Sequence, residues 1–255
     1  MKRQTLAPFL FLFGIILIVS LACGLPSSPA EPEPPAQPPA VDEPAQPPPS
    51  EPVTAPPPTE EPVSQRFFTE EFDGDVDNWS YFLTSGEDRK FNLSTENGRL
   101  VFDLQDEYIY SYVTYDPEIY ENVRLDVEVN NRGFNNNNVS LICRYDEEDG
   151  WYEFNIANNG LYEILYGSWD DNGTTASYSR ITNGGSNKIK AGKETNQYTV
   201  ICDDRTLSLY INGIETNIIE DNRFVLREGL VAISVSSFDV FPINVEYEWV
   251  QISEP

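Results

Sequence analysis

Val123-Arg-Leu-Asp-Val-Glu-Val129, Val139-Ser-Leu-Ile-Cys-Arg-Tyr145 and Trp151-Tyr-Glu-Phe-Asn-Ile156 share one rhythm. Successive side chains of a strand point to opposite faces. The first run therefore sets Leu125, Val127 and Val129 on one face and Arg124, Asp126 and Glu128 on the other. The second groups Val139, Leu141, Cys143 and Tyr145; the third groups Tyr152, Phe154 and Ile156. Outward from these, Gly98 to Leu104 alternates as well, and Tyr198–Cys202 and Leu207–Ile211 flank Asp203-Asp204-Arg205 as a hairpin. Asn97-Gly98, Asn159-Gly160, Asn172-Gly173 and Asn212-Gly213 are hairpin-type turns. No stretch sustains a helical period. The expectation is about 12 to 14 antiparallel strands folded as two sheets, an all-β sandwich over residues 67–255.

The chain ahead of this domain has a different composition. Lys2 and Arg3 precede an apolar run from Phe9 to Leu21, too short for a membrane span of about 20 residues and suited to the core of a signal peptide. The run ends in Ser20-Leu21-Ala22-Cys23-Gly24, which resembles the lipobox of bacterial lipoproteins, with Leu21 one place later than the commonest pattern. The resemblance implies cleavage after residue 22 and a diacylated Cys23; an ordinary signal peptide cut nearby, or an uncleaved anchor, is the alternative. Between Pro26 and Pro62 lie 16 of the 20 prolines, with Glu, Ala, Gln, Ser and Thr around them. Such a segment buries too little to fold and favours extended polyproline II, reaching on the order of 120 Å for 40 residues. Residues 1–22 thus read as signal, 23–66 as a lipidated cysteine on a disordered stalk, and the protein as extracytoplasmic, held to the membrane through the Cys23 lipid alone.

Charge and residue usage narrow the chemistry. Seven acidic and three basic residues precede Phe67, so 35 of the 42 acidic and 13 of the 16 basic residues belong to the domain, a net charge of −22. A body of that sign repels nucleic acid and anionic headgroups. It serves solubility, or attracts calcium or basic partners. The chain contains no histidine, so a histidine-based triad, a His-ligated zinc and an imidazole general base are all excluded. With Cys23 lipidated, Cys143 and Cys202 remain, both on inward positions. In an extracytoplasmic chain they read as a disulfide, or else as two buried thiols.

The order of the segments carries a wider resemblance. Phe72-Asp-Gly-Asp and Trp79 open the domain. Asn97-Gly-Arg-Leu, Val123–Val129, Ile142-Cys-Arg-Tyr145, Trp151-Tyr-Glu-Phe and Asn159-Gly-Leu-Tyr follow, then Asn196-Gln-Tyr-Thr-Val-Ile-Cys202 and Leu207–Gly213. Gly229-Leu-Val-Ala-Ile and Val245-Glu-Tyr-Glu-Trp-Val-Gln-Ile252 close it. This resembles the concanavalin A-like lectin and glucanase superfamily, in its laminin-G-like bacterial lipoprotein branch. The resemblance implies a jelly-roll sandwich with one concave sheet, a fold that hosts lectins, hydrolases and adhesion modules alike. Laminarinase-type relatives carry a strand of three carboxylates. Here Asp126-Val-Glu128 comes nearest and has Asn130 at the third place, while Glu147-Glu148-Asp149 lies in a loop.

Two sites are expected. Asp126 and Glu128, Arg144 with Ser140 and Ile142, and Trp151, Glu153 and Asn155 fall on outward positions and would line one patch if their strands are neighbours. An indole for the apolar side of a pyranose, with planar polar groups for its hydroxyls, suits a sugar. Arg144→Ala would then remove binding and leave stability unchanged. Asp73, Asp75 and Asp77 alternate around a glycine turn and, with Glu248 from the last strand, could hold a structural calcium ion on oxygen ligands. The function expected is non-catalytic binding of an extracellular or cell-wall carbohydrate by a monomer. The alternatives are an atypical glycoside hydrolase and a structural adhesion or spacer module.

Overall fold

The computed structural model describes residues 66–255. The signal segment, the lipidation at Cys23 and nearly all of the stalk fall outside the described residues. Fifteen strands follow one another: β1 (Phe68–Glu70), β2 (Trp79–Ser85), β3 (Phe91–Thr95), β4 (Leu100–Leu104), β5 (Tyr110–Tyr120), β6 (Val123–Asn131), β7 (Asn137–Asp146) and β8 (Gly150–Ala157). They continue with β9 (Leu161–Trp169), β10 (Ala176–Gly185), β11 (Thr195–Asp203), β12 (Thr206–Ile211), β13 (Ile214–Glu220), β14 (Gly229–Ser237) and β15 (Ile243–Ser253). The described residues hold no helix long and apolar enough to cross a membrane.

The strands form two sheets with antiparallel pairing throughout. One runs β13-β12-β11-β6-β15-β4-β3, with β1 beside the far half of β15; the other runs β10-β9-β8-β7-β14-β5-β2. This is the jelly-roll sandwich the segment order implied. Leu125, Val127 and Val129 of β6 face Leu141, Cys143, Phe154 and Ile156 of the other sheet through one continuous buried core. The alternation of apolar residues is what fixes these faces, since a slip of one residue would turn every core side chain to water. Cys143 of β7 and Cys202 of β11 form a disulfide across the sandwich, Cα atoms 6.6 Å apart.

One run departs from its expected alternation. Arg144 has φ +55°, and the register of β7 shifts there against both β8 and β14. The bulge adds a residue, so Tyr145 leaves the core face and joins Tyr112, Ile142, Trp151 and Ala232 on the outer face of the seven-stranded sheet.

The loop from β13 to β14 is anchored from the core. Tyr152 of β8 donates to Asp221 Oδ2 at 2.6 Å and accepts from the Leu226 N–H at 3.0 Å. Asp221 also accepts from the backbone of Arg223 and Val225 at 3.0 and 2.8 Å. Burial works against this carboxylate, but the Tyr152 hydroxyl and the loop N–H groups outweigh it and hold its pKa below the ordinary range. A carboxyl with a depressed folded pKa stabilises the fold above the unfolded value of about 3.9, and that stability is lost as pH falls through the folded value. Asp221→Asn is therefore expected to lower stability at neutral pH while flattening the acid limb of a urea-midpoint-against-pH curve. An acid limb as steep as that of the natural protein would show that Asp221 is not the group responsible.

Candidate functional site

On the outer face of the seven-stranded sheet lies a cavity of about 350 Å³. Its floor comes from alternate residues of five adjacent strands. β5 gives Tyr110 and Tyr112, β14 Ser236, β7 Asn138, β8 Glu153 and Asn155, and β9 Glu163 and Leu165. Tyr178 and Arg180 of β10 and Phe238 close the sides. Tyr110 and Phe238 meet edge to face, centroids 6.3 Å apart.

Glu153 organises the floor. It is 2% exposed. Oε2 accepts from the Tyr112 hydroxyl at 2.9 Å and Trp151 Nε1 at 3.2 Å. Oε1 accepts from Ser140 at 2.8 Å and Asn155 Nδ2 at 3.1 Å. Four donors fill the four lone-pair positions a carboxylate offers. Among the described residues no arginine or lysine pairs with it. The Tyr112 hydroxyl lies 2.8 Å from that of Tyr178, which lies 3.0 Å from Thr84 Oγ1. The single Tyr112 hydrogen goes to Glu153, so Tyr178 donates to Tyr112 and Thr84 donates to Tyr178. Both phenol pKa values are raised, first by burial and then by the Glu153 charge, that of Tyr178 to about 12.

The amides complete the wall. Asn138 Nδ2 donates to Asn155 Oδ1, while Asn138 Oδ1 is shut from solvent with no partner. At the rim Arg180 is held by an ion pair with Glu163.

The expected patch is assembled only in part. Glu153 and Asn155 line the cavity, but Trp151 does not present its ring there. The indole is fully buried, packed against Tyr112, Tyr145, Trp169 and Tyr178, and donates to Glu153 from the neighbouring position on the same face of β8. Gly167, its cross-strand partner on β9, makes room: a Cβ there would fall inside the indole. Arg144 is turned away by the bulge to the end of the sandwich, where its guanidinium binds backbone carbonyls. Asp126 and Glu128 stand on the other sheet, because β6 pairs with β11 and β15 and not with β7. Asp126 is taken by Arg124 and Thr199, Glu128 by Gln197.

The four residues expected to hold calcium are not gathered. The described residues contain no group of three or more carboxylates placed to hold a metal ion. Glu248 instead forms an ion pair with Arg99, Nε to Oε2 2.7 Å, and accepts from Asn130.

Tyr178, Arg180 and Glu163 escaped the sequence reading. Tyr178 and Arg180 lie on β10, a polar strand at the sheet edge with no apolar alternation, and Glu163 lies on β9 between β10 and β8, on the face opposite buried Tyr162 and Ile164. The signal present was the Asn172-Gly173 turn. Folding the chain back about it pairs Tyr178 with Gly167 and Arg180 with Leu165, on the same face as Glu153.

A model of the 3-keto-alpha-glucoside-1,2-lyase-like domain family matches residues 68–241. No curated protein matches the sequence. Several solved structures share the fold. The GH16 enzyme of the Bacteroides ovatus mixed linkage glucan PUL, in complex with its G4G4G3G product, is 8% identical with a TM-score of 0.53, over 73% of this chain and 99% of its own. The Bacillus licheniformis β-glucanase is 10% identical with a TM-score of 0.53, over 76% and 100%. A Bacillus subtilis protein of unknown function with a galectin-like fold is 10% identical with a TM-score of 0.53, over 73% and 94%. At these identities the likeness is one of fold.

Proposed function

The chain belongs to the 3-keto-alpha-glucoside-1,2-lyase-like domain family, and from that premise we propose that its sandwich recognises a short saccharide in the cavity over Glu153 without transforming it. The observation that carries this reading is the division of labour among the lining groups. Glu153 has all its lone pairs occupied, whereas Tyr110, Leu165, Tyr178 and Phe238 line the same cavity with ring and alkyl surface. The rings of Tyr110, Tyr178 and Phe238 offer apolar faces to C–H groups. Pockets for small ligands run from about 300 to 1,000 Å³, and this one suits one or two sugar rings better than a polymer.

Elimination on a 3-keto-glucoside is the second reading, and the family match favours it. That reaction needs a base beside the C2 proton. The carboxylates lining the cavity are Glu153, with four donors on it, and Glu163, paired with Arg180. The occupied state of both supports binding over turnover. With Cys23 lipidated and the proline-rich segment as a stalk, the domain would present this cavity at the cell surface.

Calorimetric titration of the full chain against a panel of mono- and disaccharides, with chromatography of each mixture, tests the reading. Binding without new products is expected, and Tyr178→Phe should weaken it roughly fivefold through one lost hydrogen bond of about 1 kcal/mol. Release of a product would replace the reading with catalysis; no binding by any sugar would remove it.

A further inference from the structure

The cavity carries an unbalanced charge. Glu163 and Arg180 cancel at the rim, which leaves the buried Glu153 carboxylate with four neutral donors and no cation. Neutral donors spread an anion's charge but do not cancel it, and in a buried setting the residual field is screened little. Tyr110, Tyr112 and Tyr178, three of the cavity's rings, each feel this charge. The hydrogen-bond directions act in the same sense. Tyr112 and Tyr178 turn their hydrogens along the chain toward Glu153, so the half-buried Tyr178 hydroxyl has no hydrogen left to give a guest and can only accept from it. The wall is rich in acceptors and negative in sum, on a domain whose net charge is −22 by the residues after 66.

We infer that the preferred guest is a saccharide bearing a protonated amine: an amino sugar with its nitrogen free, ahead of a neutral, N-acetylated or acidic sugar. The inference rests on the saccharide-binding reading above and specifies its ligand class. An ammonium group brings three donors and one positive charge to a wall whose one cation among the described residues, Arg180, is already paired with Glu163. N-acetylation removes the charge and two of those hydrogens. A uronate places a second anion near Glu153.

The test uses the full chain at one ionic strength, titrated by calorimetry with glucosamine, N-acetylglucosamine, glucose and glucuronate, each free and as a β-linked dimer. Charge-assisted hydrogen bonds are about twice as strong as neutral ones, so glucosamine is expected to bind about tenfold more tightly than glucose. N-acetylglucosamine should fall back to the level of glucose, and glucuronate should bind least. The advantage should be present below the amine's own pKa and vanish as pH rises through it. The cavity tyrosines stay protonated over that range, because their pKa values are raised above 10. Glu153→Gln should abolish the advantage, but the panel on the natural protein decides without it, should that variant fail to fold. Glucose or N-acetylglucosamine binding as tightly as glucosamine, or an advantage insensitive to pH, overturns the inference and leaves the saccharide reading standing. Silence from every sugar overturns the saccharide reading itself.

Discussion

Arg144→Ala is expected to destabilise the domain by roughly 3–5 kcal/mol, since hydrogen bonds to a charged group contribute about 1.5–3 kcal/mol each and removal strands buried acceptors. Arg144 is 1% exposed, and among the described residues no carboxylate lies at ion-pair distance from it. Nε and Nη2 donate to the Glu121 carbonyl at 3.0 and 2.8 Å, and Nη1 to the Asp204 and Leu226 carbonyls at 2.7 and 2.8 Å. Those carbonyls belong to three different connections: β5 to β6, β11 to β12, and β13 to β14. One rigid fork thus ties loops from both sheets. Lysine cannot replace it, because a single ammonium does not reach three directions at fixed angles. Arg144→Lys should accordingly lose most of what alanine loses. Urea midpoints for the natural protein and both variants, at constant m, measure this. A midpoint within 1 kcal/mol of the natural one for Arg144→Ala would show the carbonyl network to be incidental.

That residue also shows where reading the sequence stops working. Period-2 counting is sound while a strand is regular, and it placed Leu125, Val127, Val129, Tyr152, Phe154 and Ile156 in the core, where they are. It fails at a bulge, because one extra residue reverses every face beyond it. The bulge sits against a partner from a distant strand: a Cβ at Gly229 would lie 2.4 Å from the Arg144 backbone carbon, a closeness no local pattern in β7 announces. Sheet membership is equally non-local. β6 and β7 are neighbours in sequence, separated by a short loop, yet lie in opposite sheets. Asp126 and Glu128 share a polarity pattern with Glu153 and Asn155 and still face away from them. The cavity's chemistry was half visible: Glu153 and Asn155 follow from alternation on β8, whereas Tyr178 and Arg180 sit on a polar edge strand. Trp151 was assigned to the right face and the wrong depth, since alternation cannot say that Gly167 and four aromatic neighbours will bury an outward indole. The acidic Asp73–Asp77 turn is marked in the sequence by local density alone. Its proposed partner Glu248 is claimed by Arg99, a residue whose place follows only from the pairing of β4 with β15.

Loss of the Cys143–Cys202 disulfide is expected to cost about 4 kcal/mol, from the chain entropy of a closed loop of this length. The cysteines are 59 residues apart in sequence, and both are fully buried. The loop they close contains β8, β9 and β10, which supply Glu153, Asn155, Glu163, Tyr178 and Arg180 to the cavity. The covalent link therefore confines, in the unfolded chain, the segment that builds most of the site. It also joins the middle of one sheet to the other at the position next to Arg144. Cys143→Ala with Cys202→Ala removes two small buried side chains as well as the bond. Comparison with the natural protein reduced in denaturant separates packing from cross-linking. The alanine pair and the reduced protein should both unfold at lower urea than the oxidised protein, by the larger part of the predicted 4 kcal/mol. Oxidised and reduced proteins with the same midpoint would sink the prediction. Because Cys143 and Arg144 are chain neighbours on one bulge, their losses should not add. Arg144→Ala in the alanine-pair background should cost at least 1 kcal/mol less than in the natural protein, since coupled neighbours show interaction energies of about 0.5–3 kcal/mol. Full additivity would mean that the bulge is held by its hydrogen bonds without help from the disulfide.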